Sequence, residues 1–559
     1  PREAEEQLAC SFMHLSRTRR PATRAVAALS VLGLLASCAA NPGPPPLVEA
    51  EQETTTTARE TDAPAEEPTP AEPASRPQAE VAVDPVRAGF NPHLASDESA
   101  VVHGIADLTL PSAFGPDGTM DTNLLVGASV LATSPAAFTV RYIITPDAQW
   151  SDGTPITGAD FAYLWRGMTR TPGVVDPAVY RAVTDVRVSG PGGKVVDVDF
   201  AQPVGDWRVL FHHLLPSHLL DAGAADFAVA LRNTVPASAG RYLVREVDRA
   251  HGTVTLNRND RFWGPDPAPI DILTLVAARE TTQVADQLRS GQLAFVDMAP
   301  QDTTEDVLGL IPGAQLRAFP GGRTLGVTLS TTSGVSSQAR AEVRSLLDVP
   351  LLAHIAARRT TDVDVAAPTT SGSLALLHQL AAQGKVLRVA ADPADPAASA
   401  AARSMVDILN NAGVPAKTVA KDLGSIAGQG LPSGEVDMVV HWRAQQGGRA
   451  ALASRIACPP DTGRAGNLSG YCTPGGDELA ARILGGDLEL AAATERVAEL
   501  EDREALWVPL LHETRLAATA GGITARGTAA GEWPGGLSSA AAWKLADTVG
   551  RRTPIQEVP

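Results

Sequence analysis

Apolar positions along residues 138–168 change period midway. Phe138-Thr139-Val140-Arg141-Tyr142-Ile143-Ile144 is rich in β-branched and aromatic residues and predicts a strand. Asp152-Gly153 is a turn pair, and Pro155 keeps the residue before it extended. Thr157 can cap a helix, with Asp160 three residues on facing the N–H groups of the first turn. Phe161, Leu164, Trp165 and Met168 then recur at i, i+3, i+4 and i+7, one apolar helix face. The stretch predicts strand, tight turn and capped helix.

Beyond it the pattern alternates. Residues 183–200 hold two β runs around the hairpin turn Gly190-Pro191-Gly192-Gly193. Val196-Asp197-Val198-Asp199-Phe200 alternates, which puts one face in water. Residues 240–264 predict two strands joined near His251-Gly252. Residues 273–276, a helix over 283–289 and residues 291–297 predict β-α-β. A strand follows at 325–329, then a helix over 339–347 that stops near Pro350. A second α/β region opens with a strand at 385–390 and continues with a helix over 397–411, Met405, Ile408 and Leu409 inward, ended by Asn411 and Gly413. Residues 436–442 predict a largely buried strand, and residues 506–511 a last one. Alternating strands and helices without a repeat imply a mainly parallel sheet.

At 559 residues the chain exceeds one ordinary domain, and two or three are expected. Hydrophobic content of 44% and charged content of 19% are those of a globular protein. A net charge of −17 argues against bulk attraction to nucleic acid or an anionic membrane, and fits solubility outside the cell.

The N-terminus reads as an export signal. Arg17, Arg19, Arg20 and Arg24 form a basic region, and residues 25–35 a short apolar run, far below the ~20 residues that span a bilayer. It ends in Leu35-Ala36-Ser37-Cys38, which resembles a bacterial lipobox and implies cleavage before Cys38 and lipidation of its thiol. Residues 1–12 precede the first Met, Met13, so an over-extended reading frame is expected. Residues 41–80 are dominated by Pro, Ala, Glu and Thr and predict a disordered tether holding a folded body off the membrane. Of four cysteines, Cys10 would leave with the signal and Cys38 carry lipid. Cys458 and Cys472 are then expected to form a disulfide in an exported chain, worth roughly 3 kcal/mol by loop closure.

No HExxH, G-x-S-x-G or Gly-rich phosphate loop occurs, so neither catalytic residues nor a cofactor are expected. His212-His213 with His218 lacks the further ligands a metal needs and reads as helix-surface histidines, so no metal is expected. Asp197 and Asp199 read as a strand's solvent face rather than a carboxylate dyad. Trp165, Trp207, Phe211 and Trp263 offer sugar-stacking faces, or core packing among their apolar neighbours.

Trp150-Ser151-Asp152-Gly153-Thr154-Pro155-Ile156-Thr157-Gly158-Ala159-Asp160-Phe161 resembles the signature of the family 5 (class C, peptide/nickel type) extracytoplasmic solute-binding proteins. Residues 207–218 resemble that family's W-x-x-L-F-x-x-(I/L)-L-P-x-H segment, and residues 254–264 its L-x-R-N-x-x-Y-W-G element, with Phe262 departing from it. The resemblance covers about residues 81–516. Residues 89–94, 110–114 and 172–177 further resemble an actinobacterial lipoprotein branch linked to phosphatidylinositol mannoside and lipoarabinomannan synthesis.

This resemblance implies a two-lobed α/β periplasmic-binding-protein-like fold with an extra subdomain, mixed sheets and an interlobe cleft. The implied layout is a leader over 1–37, a tether over 38–80, and a first lobe over 81–350 with a subdomain inserted at about 106–235. A second lobe over 351–500 and a return to the first lobe over 501–559 follow. The family places a Trp at the end of the strand that here carries His441 and Trp442, lining the ligand cavity. Peptide-binding members have an acidic residue soon after it. Here Arg443-Ala444-Gln445 follows, which would favour an anionic or hydroxyl-rich ligand. The expected ligand-binding residues are therefore His441, Trp442, Arg443, Trp207 and Phe211. The expected partners are a glycolipid or small solute, an ABC permease or a membrane mannosyltransferase, and the membrane through Cys38. The alternative is an importer receptor for peptides. A monomer without enzymatic activity is expected.

Overall fold

The structure, a computed structural model, describes residues 76–133, 136–221, 226–445, 448–461, 463–524 and 536–546. The signal segment, Cys38 and all but the end of the tether lie outside them. Strand β1 (Gln78–Val83) begins inside the stretch assigned to the tether, because Gln78 already pairs with Ile272.

A four-stranded antiparallel sheet is built from β2 (Leu125–Val130), β3 (Phe138–Ile144), β4 (Val183–Ser189) and β5 (Val195–Phe200), in the order β2-β3-β5-β4. The helix Gly158–Arg170 packs on it. Thr157 caps that helix by accepting from the Ala159 N–H, and Asp160 accepts from the Thr157 N–H at 2.9 Å. Asp160 also accepts from the N–H and hydroxyl of Ser217, so one buried carboxylate fixes both the helix start and the segment after residue 207. Phe161, Leu164 and Met168 are buried as the helical period predicts.

The wet face expected of β5 is dry. Asp197 and Asp199 are buried because β5 is central and Arg141 and Arg187 on the flanking strands lie over them, each with Nε 2.7 Å from a carboxylate oxygen. The aliphatic stems of the arginines cover the strand while their heads stay half in water.

A second, ten-stranded sheet runs through both lobes. In the first lobe it holds β6 (Tyr242–Asp248), β7 (Thr253–Arg258), β8 (Ile272–Ala277), β1 and β9 (Leu293–Met298). In the second it holds β11 (Leu387–Ala391), β12 (Ala416–Ala420) and β13 (Met438–Ala444). Between them lie two long antiparallel strands, β10 (Gln315–Leu329) and β14 (Trp507–Thr519), shared by both lobes. β10 pairs with β13 at one end, and β14 pairs with β9 at the other. Their mutual register breaks between Pro320 and Thr324, and again at Pro509, which cannot donate to the ladder.

The mainly parallel sheet predicted from the alternation of elements is not what forms. β1/β8, β1/β9, β11/β12 and β11/β13 are parallel, but the crossing pair and the β6-β7-β8 meander are antiparallel, so the sheet is mixed. A second difference lies at Pro350. The helix Ser337–Leu346 ends before it, but Pro350 opens a further helix, Val349–Ala357, in the first turn, where its missing N–H costs nothing.

The lobes have separate cores. Leu325, Leu352, Val389, Met405 and Leu510 belong to that of the second lobe, whereas Val81, Tyr142, Trp207 and Leu275 belong to that of the first. The helices Arg449–Ile456, Pro474–Gly485 and Leu490–Arg503, within the stretch assigned to the second lobe, share the first core through Ala453, Ile483 and Val497. Cys458 and Cys472 form a disulfide between the first two of these helices. Among the described residues no helix is long and apolar enough to cross a membrane.

Candidate interlobe binding site

A cleft of about 460 Å³ lies where the two lobes face each other. Residues just past the carboxyl ends of parallel strands build it: Asp84 after β1, Arg279 after β8, Ala299 after β9 and Asp392 after β11. That is where the side chains and backbone of an open α/β sheet remain free to meet a ligand. Arg323, His512 and Glu513 of the crossing strands line it as well, and Arg358 and Arg359 enter it after the helix Val349–Ala357.

Most of its charges are paired. Arg323 holds Glu513 by two hydrogen bonds of 2.8 and 2.6 Å, and donates to the Glu98 carbonyl at 2.7 Å. Burial alone would lower the Arg323 guanidinium, but Glu513 and Glu98 outweigh it and hold it above its ordinary value. Arg515 behind it joins Asp297 and Asp84 at 2.7 Å each. The Asp392 carboxylate accepts from the N–H groups of Ala394 and Leu423. Asp395 caps the helix Pro396–Asn411.

Glu98 is different. Its side chain is 10% exposed, and among the described residues its carboxyl oxygens accept no hydrogen bond; the His103 ring, 3.9 Å off, is kept neutral by burial, which lowers its pKa to about 4. Burial pushes this carboxyl up to about 7, and Asp176 and Glu513 add to the push against the pull of Arg323. Near neutral pH it is poised to donate a hydrogen bond as well as to accept one.

The strand β13 separates its last side chains as a pleat must. Trp442 is half-buried, lines the cleft and has the Arg323 guanidinium 5.0 Å from its ring centroid. Arg443 is not among the lining residues. It bonds Glu501 at 2.6 and 3.2 Å and lies 4.0 Å over the Trp507 ring. His441 borders the cleft but shares the Trp507 side, 5.3 Å from that ring. Its Nδ1 donates to the Trp442 carbonyl, and Nε2 accepts from the Thr328 hydroxyl. Burial lowers its pKa to about 4, which keeps the ring neutral.

Trp207 and Phe211 lie away from the cleft, a correction to their expected role. Both are buried in the first core: Trp207 meets Phe114 edge-on at 5.4 Å, and Phe211 packs on Phe161 at 4.7 Å and Tyr142 at 5.4 Å. Of the histidines after them, His218 lies on the short helix Ser217–Leu220, whereas His212 and His213 are not on a helix surface. The turn Trp207–Val209 ends before them, and His213, with φ 48°, turns inward to bond Asp107 at 2.8 Å. His218 bonds Asp152 instead. Among the described residues no group of three or more His, Cys, Asp or Glu is placed to hold a metal.

Sequence reasoning missed Glu98, Arg323, Arg359 and Glu513. The acid it sought after Trp442 comes from other elements. Of the four missed residues only Glu513, two residues past the strand predicted at 506–511, carried a positional signal; Glu98, Arg323 and Arg359 lie at no predicted strand's carboxyl end.

Two lobes joined by a shared strand pair, with a polar cleft at the strand ends, define a bilobal solute-binding protein. The chain belongs to the bacterial extracellular solute-binding proteins of family 5, whose description (family 5 Middle) matches residues 91–359. It is 33% identical over 498 aligned positions to LpqW of Mycobacterium tuberculosis (strain H37Rv), a probable monoacyl phosphatidylinositol tetramannoside-binding protein, covering 76% of this chain and 75% of that one. Among solved structures, the periplasmic EDTA-binding protein EppA matches with a TM-score of 0.61 at 23% identity, over 84% of this chain and 97% of that one. The oligopeptide-binding protein AppA of Bacillus subtilis, in complex with a nonapeptide, matches with 0.63 at 12% identity, over 84% and 99%.

Proposed function

We propose that this chain is a lipid-anchored extracytoplasmic binding protein that holds a glycolipid or other sugar-type ligand in the interlobe cleft. It would act in cell-envelope phosphatidylinositol mannoside and lipoarabinomannan synthesis. The observation that carries the reading is the cleft's lining. Trp442 supplies a flat apolar face for a sugar ring, and Glu98 beside it is an unbonded carboxyl able to donate and accept to hydroxyls. The volume lies within the ~300–1,000 Å³ usual for small-ligand sites. Similarity to LpqW supports the choice of ligand class. Cys38 would carry the lipid, a membrane mannosyltransferase would be the partner, and the protein would work as a monomer.

Thermal unfolding with mannosides and with short peptides tests it, since a ligand that binds only the folded state raises the midpoint. Stabilisation by mannosides and not by peptides is the expected result. The reverse result favours a second reading, an ABC-importer receptor for peptides, which the carboxylates in the cleft also suit as partners for an amino terminus. Unchanged mannosides and lipoarabinomannan after deletion of the gene would remove the proposed pathway.

A further inference from the structure

Among the described residues, Arg359 is the buried cation of the cleft that no carboxylate neutralises. Arg359 is 9% exposed and lines the cavity; its Nε is buried without a hydrogen-bond partner, and among the described residues its terminal nitrogens enter no ion pair. Its backbone is engaged with His354, which fixes the chain where the helix Val349–Ala357 ends in a left-handed turn at Arg358, φ 52°. The side chain is therefore carried into the cavity by ordered backbone. Arg181 and Arg464 also carry buried nitrogens without partners, but neither lines the cleft.

An arginine that is nine-tenths buried is ordinarily paired, because an uncompensated charge held out of water is strongly unfavourable. The cleft's carboxylates do not meet this need. Glu513 is taken by Arg323, Asp84 by Arg515, Asp97 by Ser96 and the Asn91 N–H, Asp392 by backbone N–H groups, and Asp395 caps a helix; Glu98, the carboxyl left unbonded, makes no ion pair with Arg359. Arg358, exposed beside Arg359 on the cavity wall, adds a second positive charge. A planar guanidinium presents a fork that fits the two oxygens of a carboxylate or phosphate.

We propose that Arg359 is the anchor for an oxyanion of the ligand, a phosphate diester or a carboxylate, held in the same cleft as the sugar-binding Trp442 and Glu98. The inference rests on the cleft being the binding site. It adds that the ligand is anionic and names the group that reads the charge. Closing on such a ligand replaces the lost hydration of Arg359 with a paired, bidentate contact.

The test uses the full chain in detergent, titrated calorimetrically with three probes: glycerophosphoinositol for a phosphate diester, succinate for a carboxylate, and mannobiose as a neutral sugar. The wild-type protein is expected to bind one of the anions, and Arg359→Gln to weaken that binding at least about tenfold. Mannobiose affinity should be equal in both proteins. Arg359→Lys keeps the charge without the fork and should fall between them. Which anion responds identifies the source of the oxyanion. Unliganded Arg359→Gln should melt at or above the wild-type temperature, since it removes a buried unpaired charge; a lower midpoint would make Arg359 a structural residue and overturn the proposal. An anion that binds both proteins equally, or binding of mannobiose alone, overturns it while leaving the cleft as the binding site. Binding of none of the three overturns both.

Discussion

The four-stranded sheet and the interlobe cleft are both crowded with charge, and they handle it in opposite ways. On the sheet, Asp197 faces Arg141 and Asp199 faces Arg187 at hydrogen-bonding distance. In the cleft, some charges are equally well mated, as Arg323 is to Glu513. Glu98 and Arg359 have no hydrogen-bonded charge partner among the described residues. A satisfied charge is scaffold, since its electrostatic demand is met before any ligand arrives. An unsatisfied one in a concave place is an opening for something else. Aromatic residues divide the same way. Phe211 and Trp207 are enclosed in the first core, whereas Trp442 still shows part of its ring to the cavity.

The strongest way to break this contrast is through the aromatics. Phe211→Ala is expected to lose about 3–5 kcal/mol of unfolding free energy in a denaturant melt, with ligand affinity in the folded fraction unchanged. A loss of affinity without loss of stability would place Phe211 in the site after all.

Next in size is the pH dependence of Glu98. Its folded-state pKa, about 7, lies above its ordinary 4.5, so the folded state holds a proton that the unfolded state has released between these values. Stability from this group is full below about pH 4.5 and is lost as pH rises to about 7, on the order of 3 kcal/mol in all. Glu98→Gln removes that dependence. Its melting midpoint should gain on the wild type steadily across the interval, and parallel curves would show the carboxyl to be solvated.

Trp442→Ala comes third. A drop of about tenfold in affinity for mannobiose is expected, close to 1.4 kcal/mol, with little change in melting because the ring is half out of the core. Smallest is Asp197→Asn on the sheet. Its partner arginine is 41% exposed, and such pairs contribute about 1 kcal/mol or less. Arg141 holds the Asp197 carboxylate below its ordinary range, so this contribution is present above the ordinary value and lost only as pH falls through the depressed one. The wild type and this variant should therefore converge in strong acid.

What the sequence makes legible is local. The helix Gly158–Arg170 can be read because its cap, its acidic third residue and its apolar period lie within one short stretch. The first half of β10 cannot. Residues 315–320 lie outside the predicted strand at 325–329, and only pairing with the distant residues 514–519 makes them strand. Trp442 was reachable because it ends a buried strand. The fate of Arg443 depends on Glu501, and Arg359 matters because of a partner it lacks; neither is a property of a neighbouring residue. Asp197 shows the same limit, since alternation says which face a side chain takes but not what lies over that face.

The shared strand also sets a schedule for making the protein. β14 sits between β10 and β9, and both lobes draw on it. A chain delivered N-terminus first completes β9 at Met298 but does not supply β14 until Thr519 has emerged. At ~5–20 residues per second that leaves the seam of the sheet open for on the order of 10–40 s. β14 joins β10 to β9, so the sheet that carries the cleft is continuous only once that strand is in place. A nascent chain stopped before Trp507 has exposed strand edges and no means of holding a ligand.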